Sequence, residues 1–260
     1  MSWDPDQYLR YESERALPFH HLVAAVDHLK PSTIIDLGCG PGGLTASLLE
    51  RWPDARITGV DASNEMIERA RRREVAGRLE FEIGDALTWR ASVPIDLIIA
   101  NACFHWIEDH RALFDHLLPQ LAGGGVLAFQ VPANHTEPSH TILGELCSNP
   151  RWRDRLDGLP RTGVHEPQWY LEECGAGDFD VTAWQTTYFH ILEGEDPVLE
   201  WVRGTTLRPI LERLLEDEQG EFLDDYGGLL REAYPERGGK TVFPFKRTFV
   251  VVRERTNNER

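Results

Sequence analysis

The sequence predicts an α/β fold: a doubly wound, mostly parallel, seven-stranded sheet with an antiparallel edge strand and a helical cap. Three observations predict it. Short apolar runs alternate with helical patterns from residue 33 to residue 132. One of them, "IDLIIANA" (95–102), is almost continuously apolar, as a strand covered on both faces must be. Finally, the first run ends in a glycine-rich turn, "GCGPGG" (38–43), that opens a helix.

Each element has its own signal. "TIIDLG" (33–38) is a strand, and "LTASLLERW" after it is a helix stopped before Pro53. "RITGVD" (56–61) is the second strand; "SNEMIERARRRE" (63–74) is a helix with Ser63 as its N-cap. "LEFEIGD" (79–85) and residues 95–102 give strands three and four, "HRALFDHLLPQL" (110–121) a helix, and "GGVLAFQVP" (124–132) strand five. Residues 133–178 are rich in Pro, His and aromatics and show no strand pattern. "DVTAWQTTYFHIL" (180–192) alternates as a strand, 197–234 reads as helical, and "FKRTFVVVRE" (245–254) is a last strand. Two late strands joined by a long connection pair as an antiparallel edge. The predicted organisation is therefore N-terminal lid helices at 1–30, a cofactor-binding core at 31–132, and a remainder at 133–260. That remainder supplies the two late strands and cap insertions at about 133–178 and 193–244.

Composition narrows the function. Acids outnumber Lys and Arg by 43 to 27, a net charge of −16, which argues against nucleic acid or an anionic membrane surface as the main partner. No stretch has the length and apolarity of a membrane span, and "MSWDPDQYLRYESER" does not read as a signal peptide. The four cysteines form no Cys-x-x-Cys pair and fit a reducing cytoplasm. The expectation is a cytoplasmic protein, monomeric or a small homo-oligomer, acting on a small molecule.

The glycine loop literally satisfies the Gly-x-Gly-x-x-Gly of dinucleotide-binding dehydrogenases. Asp61 ends the second strand 21 residues beyond Gly40, where a carboxylate accepts from ribose hydroxyls of either NAD or S-adenosylmethionine. Asp85, in "GDA" after the third strand, is placed to accept from an adenine amino group. Asp36, two residues before Gly38, repels a pyrophosphate and favours a cationic ammonium and sulfonium. Three acids at three consecutive strand ends suit a cationic cofactor.

Together "IIDLGCGPGGLT", "GVDASNEMI", "GDA" and "ANACFHW" resemble the class I S-adenosylmethionine-dependent methyltransferases, whose sheet is Rossmann-like. The resemblance implies S-adenosyl-L-methionine as cofactor, with the loop of Asp36, Gly38 and Gly40 holding its methionine moiety and Asp61 its ribose. It implies Ala62 and Met66 beside the adenine, Asp85 and Ala86 at the adenine edge, and Asn101 and its neighbours facing the methyl donor. "WDPDQYL", "ANACFHWIEDH", "EPSH", "TTYFH", "WVRGTTLRP" and "VFPFKRTFVVV" carry a narrower resemblance over nearly the whole chain, to the trans-aconitate 2-methyltransferase family. That family makes a monomethyl ester of a small tricarboxylate. "EECGAGDFDVTAW" departs from its pattern before "TTYFH".

A carboxylate nucleophile is already ionised at neutral pH, so the expected mechanism is positioning and desolvation with no catalytic base. Groups that neutralise the unreacting carboxylates are then the substrate-binding candidates: Tyr8 and Arg15 near the N-terminus, Arg161 and His165, Tyr188 and His190, and Arg203 and Arg208. Arg208 is the leading one. Tyr188 and His190 share one side of a strand and are pocket or core together. His105 and His110 are five apart, off the helical spacing of a metal pair, so no metal is expected and Trp106 reads as a wall of the cofactor pocket. The alternatives are a methyltransferase for another small or carrier-bound acid, an NAD(P)-dependent oxidoreductase, and a silent S-adenosylmethionine-binding fold.

Overall fold

The computed structural model describes residues 12–156, 158, 164–175, 177–204 and 206–255, with backbone alone at 12–15. They divide into two compact units. A sheet unit takes its described residues from 15–132, 162–186 and 247–260, and a second unit from 1–14, 133–161 and 187–246.

The sheet unit begins with most of helix α1 (Glu12–Ala25), followed by β1 (Thr33–Leu37), α2 (Gly43–Arg51), β2 (Arg56–Asp61), α3 (Asn64–Ala70) and β3 (Leu79–Ile83). Next come β4 (Ile95–Asn101), α4 (His110–Leu117), β5 (Leu121–Pro132) and α7 (Pro167–Gly175). The long strands β6 (Phe179–Glu193) and β7 (Lys240–Glu254) contribute residues to both units. The strand order is β3-β2-β1-β4-β5-β7-β6. The first five strands pair in parallel and β7 runs antiparallel to β5, from Val126↔Arg253 to Pro132↔Arg247. The order reverses between β1 and β4, so the crevice for a ligand lies beyond their C-terminal ends. The α/β, seven-stranded architecture and its antiparallel edge are as the sequence predicts.

Local chemistry explains the elements. Ser63 caps α3, its hydroxyl accepting the Met66 amide at 3.4 Å. Asp109 does the same for α4 through the Ala112 amide at 3.0 Å. The β4 run is buried from Leu97 through Ala100, and its Ile98 and Ala100 join Ile35, Leu37, Phe104, Phe129 and Val250 in a core cluster of this unit.

The second unit holds α5 (Pro138–Cys147), α6 (Arg153–Leu156), α8 (Pro197–Arg203), α9 (Arg208–Leu211) and α10 (Glu216–Ala233). Its separate core is built on Trp152, Trp201, Phe222, Tyr226 and Phe243. The helical stretch predicted across 197–234 is broken into three helices. The last restarts at Glu216, where three acids occupy the first turn and Glu218 accepts the Leu215 amide at 3.0 Å. No helix among the described residues is long and apolar enough to cross a membrane.

Candidate cofactor site

The site starts at the end of β1. Gly38 has φ +74°, and a Cβ there would stand 2.5 Å from the Cys103 side chain, so only glycine fits. Its amide and that of Cys39 both donate to Val60 O, at 2.7 and 3.1 Å, which turns the chain across the end of β2. At Gly40 φ is +56°, and nothing lies within 4 Å of where a Cβ would be. The loop backbone is therefore open on that side, as a close approach to a ligand requires.

The three acids have distinct roles. Asp36 is only 2% exposed and its Oδ2 accepts the Thr45 hydroxyl at 2.5 Å. Burial pushes its carboxyl up to about 7, against the lowering effect of Thr45 and with a smaller raising effect from Asp61. Asp36 is thus tied to α2 through Thr45. Asp61 accepts the Gly40 amide at Oδ2 (3.0 Å) and the Ser63 amide at Oδ1 (2.9 Å), joining the glycine loop to the start of α3. Each oxygen keeps a second lone-pair direction for a hydroxyl. Asp85 is exposed and accepts the Leu87 amide at 2.8 Å.

The joint field of these acids is visible at two thiols. Burial raises Cys103 to about 12, helped by the charges of Asp61, Asp36 and Asp85. Cys39 is pushed higher still by burial and then by Asp36 and Asp61. A pyrophosphate placed in this field meets repulsion, whereas an ammonium or sulfonium meets attraction. The residues present therefore fit S-adenosylmethionine.

Around the acids lie apolar surfaces suited to a flat base. Ala62 is exposed and Met66 is buried in α3. Ile83, the register partner of Asp61, is 51% exposed, and Leu87 is also exposed; sequence patterning overlooked both. Ala86 is half-buried beside Asp85, and Trp106 is 52% exposed in the turn after β4, its ring 4.5 Å from that of His105.

Asn101 is oriented from behind. Arg247, 4% exposed, donates from Nη1 to Gln130 Oε1 at 3.0 Å, and Gln130 Nε2 donates to Asn101 Oδ1 at 2.6 Å. A guanidinium can only donate, so the direction runs from Arg247 outward and leaves the Asn101 amide nitrogen as its outer end. The next residue, Ala102, holds φ +52°, a strained conformation for a non-glycine residue. Sequence reasoning missed Gln130 and Arg247. The available signal was a basic residue inside the apolar run "FKRTFVVV".

The turn that carries Trp106 is held by His110. Its Nε2 lies 2.9 Å from Phe104 O, which can only accept, so Nε2 carries the proton. Its Nδ1 then accepts the Tyr170 hydroxyl at 3.0 Å, and that oxygen takes the His165 amide at 3.2 Å. His165 stacks on Trp169 at 3.8 Å and belongs to this aromatic cluster of the sheet unit.

Tyr8 and Arg161 lie outside the described residues, and Arg15 is described only as backbone of α1. Tyr188 and His190 are both buried in the second unit, and His190 stacks on Trp201 at 4.6 Å. Arg203 pairs with Glu200 at 3.2 Å and Arg208 with Glu212 at 3.3 Å, three and four residues away along the chain.

The chain is similar to known proteins in sequence and in fold. A family model described as a methyltransferase domain matches residues 34–125. The chain is 47% identical over 258 residues to the trans-aconitate 2-methyltransferase of Streptomyces avermitilis, covering 96% of both. It is 43% identical to that of Rhodococcus jostii, covering 96% of this chain and 98% of the relative. Among solved structures, the fold is similar to the YcgJ protein of Bacillus subtilis, with TM-score 0.59, 17% identity, and coverage of 92% of this chain and 100% of that one. It is also similar to coclaurine N-methyltransferase bound to N-methylheliamine and SAH, with TM-score 0.56, 16% identity, and coverage of 92% and 72%. With identity of this order sustained from end to end, the chain belongs to the trans-aconitate 2-methyltransferase family.

Proposed function

We propose that the protein is a carboxyl O-methyltransferase that uses S-adenosyl-L-methionine to form the monomethyl ester of trans-aconitate or a similar small polycarboxylate. One observation carries the reading. Identity to relatives named for that activity extends over 96% of the chain, far beyond the stretch matched by the general methyltransferase model. An acidic strand-end cradle adds the chemical reason for a cationic methyl donor.

S-adenosylmethionine, when bound, supplies a methyl carbon activated by its sulfonium. The chain's own residues do the rest. Asp61 ties the loop at Gly40 to the start of α3, so ribose and methionine positions are fixed together. Ile83, Met66 and Ala62 offer the apolar surface for the base, with Asp85 at its polar edge. Asn101, oriented by Gln130 and Arg247, supplies a directed amide donor next to the strained Ala102. Cys39 and Cys103, with their ionisation suppressed, stay thiols and do not compete for the methyl group. The substrate oxygen needs no base, because a carboxylate is ionised at neutral pH. Rate is gained by alignment and exclusion of water.

The test is methyl transfer to trans-aconitate, cis-aconitate, isocitrate and citrate, followed by mass spectrometry of base-labile esters. An ester of trans-aconitate is the expected product. No ester from any of the four acids contradicts the reading.

A further inference from the structure

The second unit contains a cavity of about 520 Å³, bounded by the start of α8, the end of α10 and the start of β7. Its described lining residues lie between Gly194 and Thr241, all inside that one unit, and none of them belongs to the cofactor site. Small-molecule pockets span about 300–1,000 Å³ and combine an apolar wall with a few polar groups. The apolar wall here comes from Val198 and Leu199 of α8, Leu230 of α10, and Tyr234 just beyond it.

The polar part of the lining carries an excess of negative charge. Among the described residues, three acids line the cavity, Glu195, Asp196 and Glu236, against one cation, Arg231. That cation is already engaged. Its Nη1 donates to both Asp196 oxygens at 2.6 Å, which ties the end of α10 to the residue before α8. Asp196 makes this contact from φ +46°, a left-handed conformation that costs a non-glycine residue energy. An anion entering the cavity meets the two remaining carboxylates, whereas a cation is attracted by them.

Thr241 is an independent sign of a ligand. It lines the cavity and is only 3% exposed, and its hydroxyl has no hydrogen-bond partner among the described residues. Alternation along β7 sets it on the face of the buried Phe243 and Phe245. Buried polar groups are ordinarily paired, so a hydroxyl left over at the wall of a cavity is available to whatever fills it.

We propose that this cavity binds a small organic cation, a primary ammonium carried on an apolar body. An ammonium brings three donors and no acceptor. The lining answers with acceptors at Glu195, Glu236 and the Thr241 hydroxyl, and with Val198, Leu199, Leu230 and Tyr234 for the apolar body.

Phenethylamine, which joins a primary ammonium to a phenyl ring, is the probe. It is titrated into the full-length protein under amide NMR with saturating S-adenosylhomocysteine present, so that the cofactor cradle is occupied. The expected result is a saturable shift of the Gly194, Leu199 and Thr241 amides at millimolar concentration or below. Phenylacetate, with the same ring and the opposite charge, is expected to leave them unmoved. Thr241→Val removes the hydroxyl at nearly constant shape and is expected to weaken phenethylamine about threefold or more, the size of one lost hydrogen bond. Glu195→Gln, at an exposed position that does not touch the core, is the second variant and is expected to weaken it as well. No saturable shift at these amides, binding of phenylacetate as tight as that of phenethylamine, or wild-type affinity in both variants overturns the site.

Discussion

Asp61 and Asp36 show how two carboxylates bound to one glycine loop and the helix after it take different work. Asp61 holds two backbone amides from two elements, so Asp61→Ala removes both anchors along with the ribose acceptor. Its affinity for S-adenosylhomocysteine, measured by calorimetry, is expected to fall by about 1–3 kcal/mol. Unchanged affinity would contradict the ribose assignment. Asp36 is buried with a carboxyl raised to about 7. Its folded-state value exceeds the ordinary 3.8, so the protonated form is favoured by folding. That contribution is fully present below pH 3.8 and is lost as the pH rises through about 7. At pH 8 the buried charge costs the free protein up to about 4 kcal/mol on this scale. Asp36→Asn is therefore expected to raise the melting temperature at pH 8 but not at pH 4, and to weaken binding of the cationic cofactor. Equal melting shifts at both pH values would contradict the burial account.

Among the elements, the turn after β4 depends on parts far away in sequence. His110 on α4 and Tyr170 on α7 are 60 residues apart, yet one hydrogen bond joins them and a second fixes Phe104 O. Tyr170→Phe leaves His110 Nδ1 and the His165 amide without their partner in a buried cluster. An unfolding stability lowered by about 1–3 kcal/mol in a denaturant titration is expected, and a neutral substitution would sink the proton pattern assigned to His110. Strands, Ser63 as a cap and the acids at the strand ends could all be read from sequence, because each is a local pattern of apolarity or chain punctuation. The Arg247–Gln130–Asn101 relay could not, since its members come from β7, β5 and β4 and meet only through sheet register. The exposure of Ile83 at the end of β3 was hidden for the opposite reason: an isoleucine in a strand reads as core. Arg203 and Arg208 have the right chemistry for a carboxylate clamp, and the structure adds what the sequence could not show, a glutamate beside each, three or four residues away.

At the scale of the whole molecule, charge opposes the chemistry. A protein of net charge −16 repels a trianionic substrate over distances set by screening. The screening length falls from about 30 Å at 0.01 M salt to about 8 Å at 0.15 M. Catalytic efficiency with trans-aconitate is therefore expected to rise several-fold over that range, because long-range repulsion is screened more than short contacts. A steady fall with salt would mean that attraction, not repulsion, governs encounter. The same acidity concentrated at three strand ends is what separates a methyl-donor site from a dinucleotide site with the same glycine spacing. Parallel calorimetric titrations of the wild-type protein with S-adenosylhomocysteine and with NAD measure that separation most directly. The account predicts saturable binding of S-adenosylhomocysteine and none of NAD; tight binding of NAD alone would contradict it.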